Sequence, residues 1–312
     1  MTTETGGPPR WRLVLAFALV YVIWGSTYLA IRFAIETVPP LLMAGLRYLI
    51  AGGILYAWAR LRGEPNPRRE EIVPILVIGA ALFLGGNGGV VTAEQWVPSG
   101  ITALMVASEP FWVIVLNWLR PRGEAPTARI VLGLALGFAG VFFLVSPFHS
   151  GVGVELRGAL VLVGATLCWA SGSLYSRKAR LPKTPWMSAA CQMLAGGALL
   201  VAAGSALGQW SRLDLAAVST KSVLAIAYLV VFGALVAFSA YAWILRVAHP
   251  AAASTYAFVN PLVAVLLGWL FAGEEVSSTT LGAGGLILLG VVLITAARSR
   301  GVTRLRRRAS PS

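Results

Sequence analysis

In this 312-residue chain, the side chains able to do chemistry are the few polar groups set inside long apolar stretches. Glu109 comes first. It precedes Pro110 and stands about eleven residues beyond Pro98, or ~16 Å along a helix, close to mid-bilayer depth. Pro110 cannot donate a backbone hydrogen bond, so the carbonyl of Val106 loses its partner; Pro261 does the same to Ala257. Freed carbonyls beside a carboxylate make a subsite for a cation or an amine, and each proline sets a helix kink. A carboxyl at that depth is costly and marks function by default, so Glu109 is read as a ligand for a substrate amine, a proton-coupling group, or both. The structural alternative is an ion pair or a carboxyl held neutral by packing.

Arg47 is the second charged group at depth. Its planar fork suits a substrate carboxylate. It equally suits a structural role, reaching outward to pair with Glu36 or Glu94. Around these two lies a set of hydroxyls, amides and rings. Trp24, Ser26, Thr27 and Tyr28 fall midway down one apolar stretch, and Trp169, Ser171, Ser173 and Tyr175 midway down another. Asn87, Thr92, Trp112, Tyr241, Tyr256 and Asn260 complete the candidate lining. These groups suit a small amphipathic solute. Simple packing, with hydroxyls bonded to their own helix backbones, is the competing account. No cluster of ligand-type side chains suggests a metal, and nothing implies a cofactor. Cys168 and Cys191 lie within apolar stretches and read as small packing residues.

The elements that position these groups are membrane spans. The chain is 57% hydrophobic and 12% charged, about half the charged share of a soluble domain. Charge-free windows run from Leu13–Ile31 through to Val276–Ala297, and two more spans carry a single charge each, Arg47 (about 40–59) and Glu109 (about 98–119). A helix needs ~20 apolar residues to cross a bilayer, so ten spans are expected, the first of them a retained helix rather than a cleaved signal. The net charge of +13 reads as orientation rather than as nucleic-acid binding. Of the 25 Lys and Arg, all but Arg32, Arg47, Arg157, Arg212 and Lys221 fall in alternate loops, which places both termini in the cytoplasm. The basic stretch 299–312 is expected to be a disordered cytoplasmic tail lying on anionic lipid headgroups. Trp11, Trp96, Trp210 and Trp269 fall near span ends as interfacial anchors.

The pattern repeats. Trp24 and Trp169, Arg32 and Arg177, Pro40 and Pro185 are each 145 residues apart; Pro110 and Pro261, Trp118 and Trp269, Glu124 and Glu275 are 151 apart. This gives two units of five spans, residues 10–148 and 155–298. Five is odd, so the second unit is inverted, an arrangement that alternating access exploits with a site between the halves. Asn260 matches Glu109, so only one half carries the acid. Glycines cluster at Gly85–Gly89, along Gly133, Gly137 and Gly140, and at Gly282, Gly284, Gly285 and Gly290, where small residues let helix backbones approach. The first cluster is dense enough to loosen its helix.

The segments WGSTYLAIRFA (24–34), PPLLMAGLRYLIAGG (39–53), GNGGVVTAEQWVPSG (86–100), SEPFW (108–112) and PAAASTYAFVNPLVAVLLG (250–268), with GEE at 273–275, resemble the EamA-type transporters of the drug/metabolite transporter superfamily. The resemblance spans about residues 11–298. It implies an all-α integral membrane protein with ten helices as two inverted five-helix repeats around a central cavity. It also implies export of small metabolites, amino acids or their derivatives across a bacterial inner membrane.

Other classes fit less well. There is no G-x-x-x-x-G-K-[ST], so ATP is not the direct energy source, and a proton gradient or facilitated diffusion is left. A lipid or lipid-precursor flippase is the alternative reading, with Arg47 serving a headgroup. A membrane-embedded enzyme would need better equipment: His149 and His249 lie near span ends, and no carboxylate pair sits in the membrane. The expected partners are a small-molecule substrate and membrane lipid, with no nucleic acid. A monomer is plausible, though the sequence leaves the oligomeric state open.

Overall fold

The computed structural model describes residues 9–120, 125–145, 155–248, 252 and 255–309, with 298–309 as main chain only. Glu124, His149 and His249 lie outside the described residues, as do 310–312 of the tail. Among the described residues all regular structure is helical. The first repeat comprises α1 (Arg10–Ala34), α2 (Pro40–Leu61), α3 (Arg69–Ala93), α4 (Ser99–Trp118) and α5 (Ala128–Val145). The second comprises α6 (Leu156–Ser176), α7 (Pro185–Ala206), α8 (Thr220–Val247), α9 (Tyr256–Ala272) and α10 (Ser278–Ala309). Nine of them are long and apolar enough to span a membrane, and α9 is a shorter apolar helix of 17 residues. In α10 the apolar part stops at Ala297, yet the helix continues to Ala309 through the basic segment expected to be irregular. Arg, Leu and Ala are good helix formers, and no proline interrupts them there.

Sequence punctuation sets the ends. Pro40 and Pro185, matched across the repeats, each open a helix at the position where the missing N–H costs nothing. Gly208 and Gly273 follow α7 and α9 with φ of 67° and 65°, a left-handed conformation that glycine adopts without strain. Outward-facing Val14, Ile50, Phe142 and Leu270 stay exposed, as lipid-facing positions would.

Helix pairs from opposite repeats cross closely at small residues. A Cβ on Gly290 of α10 would lie 2.5 Å from the Gly133 carbonyl oxygen of α5, and one on Gly140 would lie 2.5 Å from that of Ala283. At the α2–α7 crossing, Cβ atoms on Gly45 and Gly197 would each lie 3.0 Å from the other's carbonyl oxygen. Gly282 and Gly285 differ from this pattern, because a Cβ there meets nothing within 4 Å among the described residues. The two spans bordering the centre share a feature: α3 is π-helical over Gly79–Asn87, and α8 is π-helical over the matching stretch Leu229–Val236. Wide turns of this kind are rare and concentrate at functional sites. The glycines of α3 also pack, since Cβ atoms on Gly86 and Gly89 would come within 2.8 Å of Trp169 and 2.7 Å of Ala165 on α6.

Candidate functional site

A cavity of about 330 Å³ lies between the repeats. α1 contributes Trp24, Thr27 and Tyr28; α2 contributes Arg47 and Tyr48; α3 contributes Phe83 and Asn87. α4 adds Glu109 and Pro110, α6 adds Thr166 and Trp169, and α9 adds Tyr256, Asn260 and Pro261. The π-helical parts of α3 and α8 both face it, through Leu82, Phe83 and Asn87 and through Leu229, Gly233 and Ala234.

Helix α4 places its acid by breaking. Its first segment ends at Val106, Ala107 and Ser108 form a turn, and a second segment starts at Glu109 with Pro110 next. Pro110 therefore opens a helical segment where a kink was expected, and the Glu109 carboxylate stands at a helix N-terminus, which favours negative charge. Pro261 lies inside the continuous helix α9. The Glu109 carboxyl is close enough to the hydroxyls of Tyr241 and Tyr256 to interact electrostatically with both. Those two rings and Trp24 pack mutually, with centroids 5.0, 5.1 and 5.4 Å apart. The Trp24 indole N–H donates to the Gly233 carbonyl at 3.2 Å, tying α1 to the π-helical part of α8.

On another wall, Arg47 is 5% exposed and donates to Asn87 Oδ1 at 3.1 Å and to the Tyr48 hydroxyl. Tyr48 donates to the same Asn87 oxygen at 2.6 Å. Asn87 returns its amide to the Leu82 carbonyl within the π-helical turn. Arg47 makes no pair with Glu36, which is bonded to Lys221 instead. On α9, Asn260 is 8% exposed, and its side-chain oxygen has no hydrogen-bond partner among the described residues.

Of the sequence-derived candidates, Trp24, Thr27, Tyr28, Arg47, Asn87, Glu109, Trp169, Tyr256 and Asn260 come together at the cavity. Tyr241 stands behind Trp24 and Tyr256. The others point elsewhere. Ser26 bonds the Tyr228 hydroxyl at 2.6 Å, Trp112 packs on Phe138, and Thr92 lies near the end of α3. Ser171 and Tyr175 are exposed, and Ser173 lies half-buried between them. Helical spacing explains the split, since only one face of each helix can line a central space.

At the cavity end near Arg47 the repeats cap one another. Gln209 of the 3₁₀ turn Gln209–Arg212 accepts from the N–H groups of Leu41 and Leu42 at the start of α2, at 3.0 and 3.2 Å. Glu274, between α9 and α10, accepts from Ser99 N and Gly100 N at the start of α4, at 2.7 and 2.9 Å. Gly268 lets it in, since a Cβ there would sit 2.3 Å from the carboxylate. Just past α3, Glu94 is 1% exposed, and among the described residues neither carboxyl oxygen has a hydrogen-bond partner. Sequence reasoning passed over Gln209 and gave Glu94 only as an optional partner for Arg47. The GEE motif at 273–275 was the one visible signal for Glu274.

A family model described as EamA-like transporter family matches residues 11–146 and again 156–296, once per repeat. The chain is 40% identical over 282 residues to the uncharacterized inner membrane transporter YedA of Escherichia coli K12, covering 89% of each protein. It is 28% identical over 288 residues to the uncharacterized transporter YvbV of Bacillus subtilis, covering 92% of each. A probable amino-acid metabolite efflux pump of Escherichia coli K12 is 28% identical over 162 residues, about half of either chain. One crystal structure superposes with a TM-score of 0.61 at 20% identity, over 94% of this chain and 99% of the other, a likeness of fold.

Proposed function

The chain belongs to the EamA-like transporter family, and from that premise we propose that it is a secondary exporter of small metabolites bearing an amine, amino acids and their derivatives first among them. The observation that carries the reading is that Glu109 and Arg47 line one cavity between the repeats. An acid and a guanidinium in a shared space match the two charged ends of an amino-acid-like solute, and Trp24, Tyr28, Trp169 and Tyr256 offer apolar faces between them. The similarity to a probable amino-acid metabolite efflux pump supports the same class. The wide turns in α3 and α8 and the break in α4 are where the wall would flex as the two ends open in turn. Net movement is outward across a bacterial inner membrane, both termini are cytoplasmic, the working unit is a monomer, and a proton gradient supplies the drive. No enzymatic step is assigned, and a lipid-precursor flippase is the competing reading.

A metabolite screen tests this. Cells expressing the protein should accumulate a small amine-bearing solute outside, and proteoliposomes should show saturable counterflow of that solute. Glu109→Gln should lower counterflow by ~10-fold or more, the cost of one charge-assisted contact. Full transport by Glu109→Gln at every pH tested would remove the acid from the mechanism. Turnover of a lipid-linked substrate with no solute counterflow would favour the flippase.

A further inference from the structure

We propose that Glu94 is a proton-binding site of this transporter, separate from Glu109, and that its proton is held while the end of the cavity it seals stays closed. The inference rests on the reading that the two ends open alternately.

Glu94 follows directly on α3, two helical turns beyond the cavity-lining Asn87 and one beyond Val90. It is 1% exposed, and among the described residues neither carboxyl oxygen meets a donor. Its own backbone carbonyl takes the nearest guanidinium contact, from Arg32 Nη1 at 3.3 Å. A buried carboxylate with no donor is expensive, whereas the protonated acid is not. Tyr28 and Arg32 face Glu94 from α1, Arg47 from α2, and Glu274 from the α9–α10 connection. At the exposed rim, Arg157 is bonded to Glu155 and stacked 4.4 Å above Trp96, and Lys221 is bonded to Glu36. Glu274 accepts from two N–H groups at a positive helix end, donors of a kind that Glu94 lacks among the described residues. Of these two neighbouring carboxyls only Glu94 is buried without a donor, so it is the one whose neutral form costs less.

Burial, and after it the Glu274 carboxylate, push the Glu94 carboxyl well above its usual range, while Arg47 and Arg32 oppose. The sign follows. Below an ordinary glutamate value of about 4.3, open and closed states both hold the proton and closure carries no penalty. As pH rises from there toward the raised closed-state value, the open state ionises first and closure weakens. Opening this end to water thus releases a proton, and closing it takes one up.

Thr102, 0% exposed and one turn into α4 at this end, provides the reporter. In a full-length protein with Cys168→Ala and Cys191→Ala, Thr102→Cys is labelled by a water-soluble thiol reagent across pH 5–8, with and without Glu94→Gln. The ratio of the two rates cancels ionisation of the thiol itself. The expected result is a ratio that rises with pH, about tenfold for each pKa unit by which the closed state exceeds the open one. A ratio that stays flat while both proteins label overturns the inference and leaves alternate opening standing. Absence of labelling at every pH in both backgrounds removes the opening and the inference with it. If Glu94→Gln does not fold, Glu274→Gln replaces it: a smaller rise than in the parent supports the site, and an unchanged rise overturns it.

Discussion

Arg47 shows how a single side chain can tie two helices together and still face a cavity. Its guanidinium lies 4.3 Å from the Tyr48 ring centroid, bonds Tyr48 and Asn87, and still lines the cavity. A lysine carries the charge but lacks the fork that reaches two acceptors while stacking on a ring. Arg47→Lys should raise the KM for counterflow by ~10-fold, about 1.4 kcal/mol, with an unfolding temperature close to that of the parent. An unfolding temperature that drops while the KM stays unchanged would mark Arg47 as packing alone. At this scale the sequence revealed the groups that stand out by depth. Glu109, Arg47, Trp24 and Asn260 are polar residues inside apolar windows, and the cavity gathers them. Glu94 and Gln209 were illegible for a physical reason. They sit beside window ends, where polarity is ordinary, and only long-range packing makes one of them dry and the other a cap for α2.

Helices were the most legible level, because hydropathy and glycine spacing are local properties. The Gly133, Gly137 and Gly140 face was readable and is where α10 arrives. The sequence could not tell Gly290, pressed to the α5 backbone, from Gly285, which faces open space, since both sit in the same apolar window. The difference is testable. Gly290→Leu should cost ~3 kcal/mol or more by overpacking, read as a lower unfolding temperature in detergent, and Gly285→Leu should change it little. Equal losses would deny the crossing. The π-helical stretch of α3 coincides with the glycine cluster expected to loosen that helix, whereas its counterpart in α8, with only Gly233, carries no compositional signal. A wider turn is a change of backbone register, and LVVFGALV reads equally well as an ordinary helix.

For the molecule as a whole, the double match to one family model agrees with the duplicated pattern of the sequence, and the structure pairs α2 with α7 and α5 with α10 across the two units. The proposed orientation, read from the charge distribution, puts the loop after α2, with Arg62, in the cytoplasm and the loop after α7, with Ser211, on the opposite face. In cells, an impermeant thiol reagent should therefore label Ser211→Cys and spare Arg62→Cys until the membrane is opened. The reverse pattern would invert the whole assignment, including which face receives the proton from Glu94.

Gln209 and Glu274 each finish a helix that belongs to the other unit. A fragment cut within 146–154 would emerge from synthesis with raw amide groups at the starts of α2 and α4 and bare glycine grooves turned to lipid. Neither fragment is a finished product; each is a template on which its counterpart must settle, so quality-control proteases should spare the two only when they are made together.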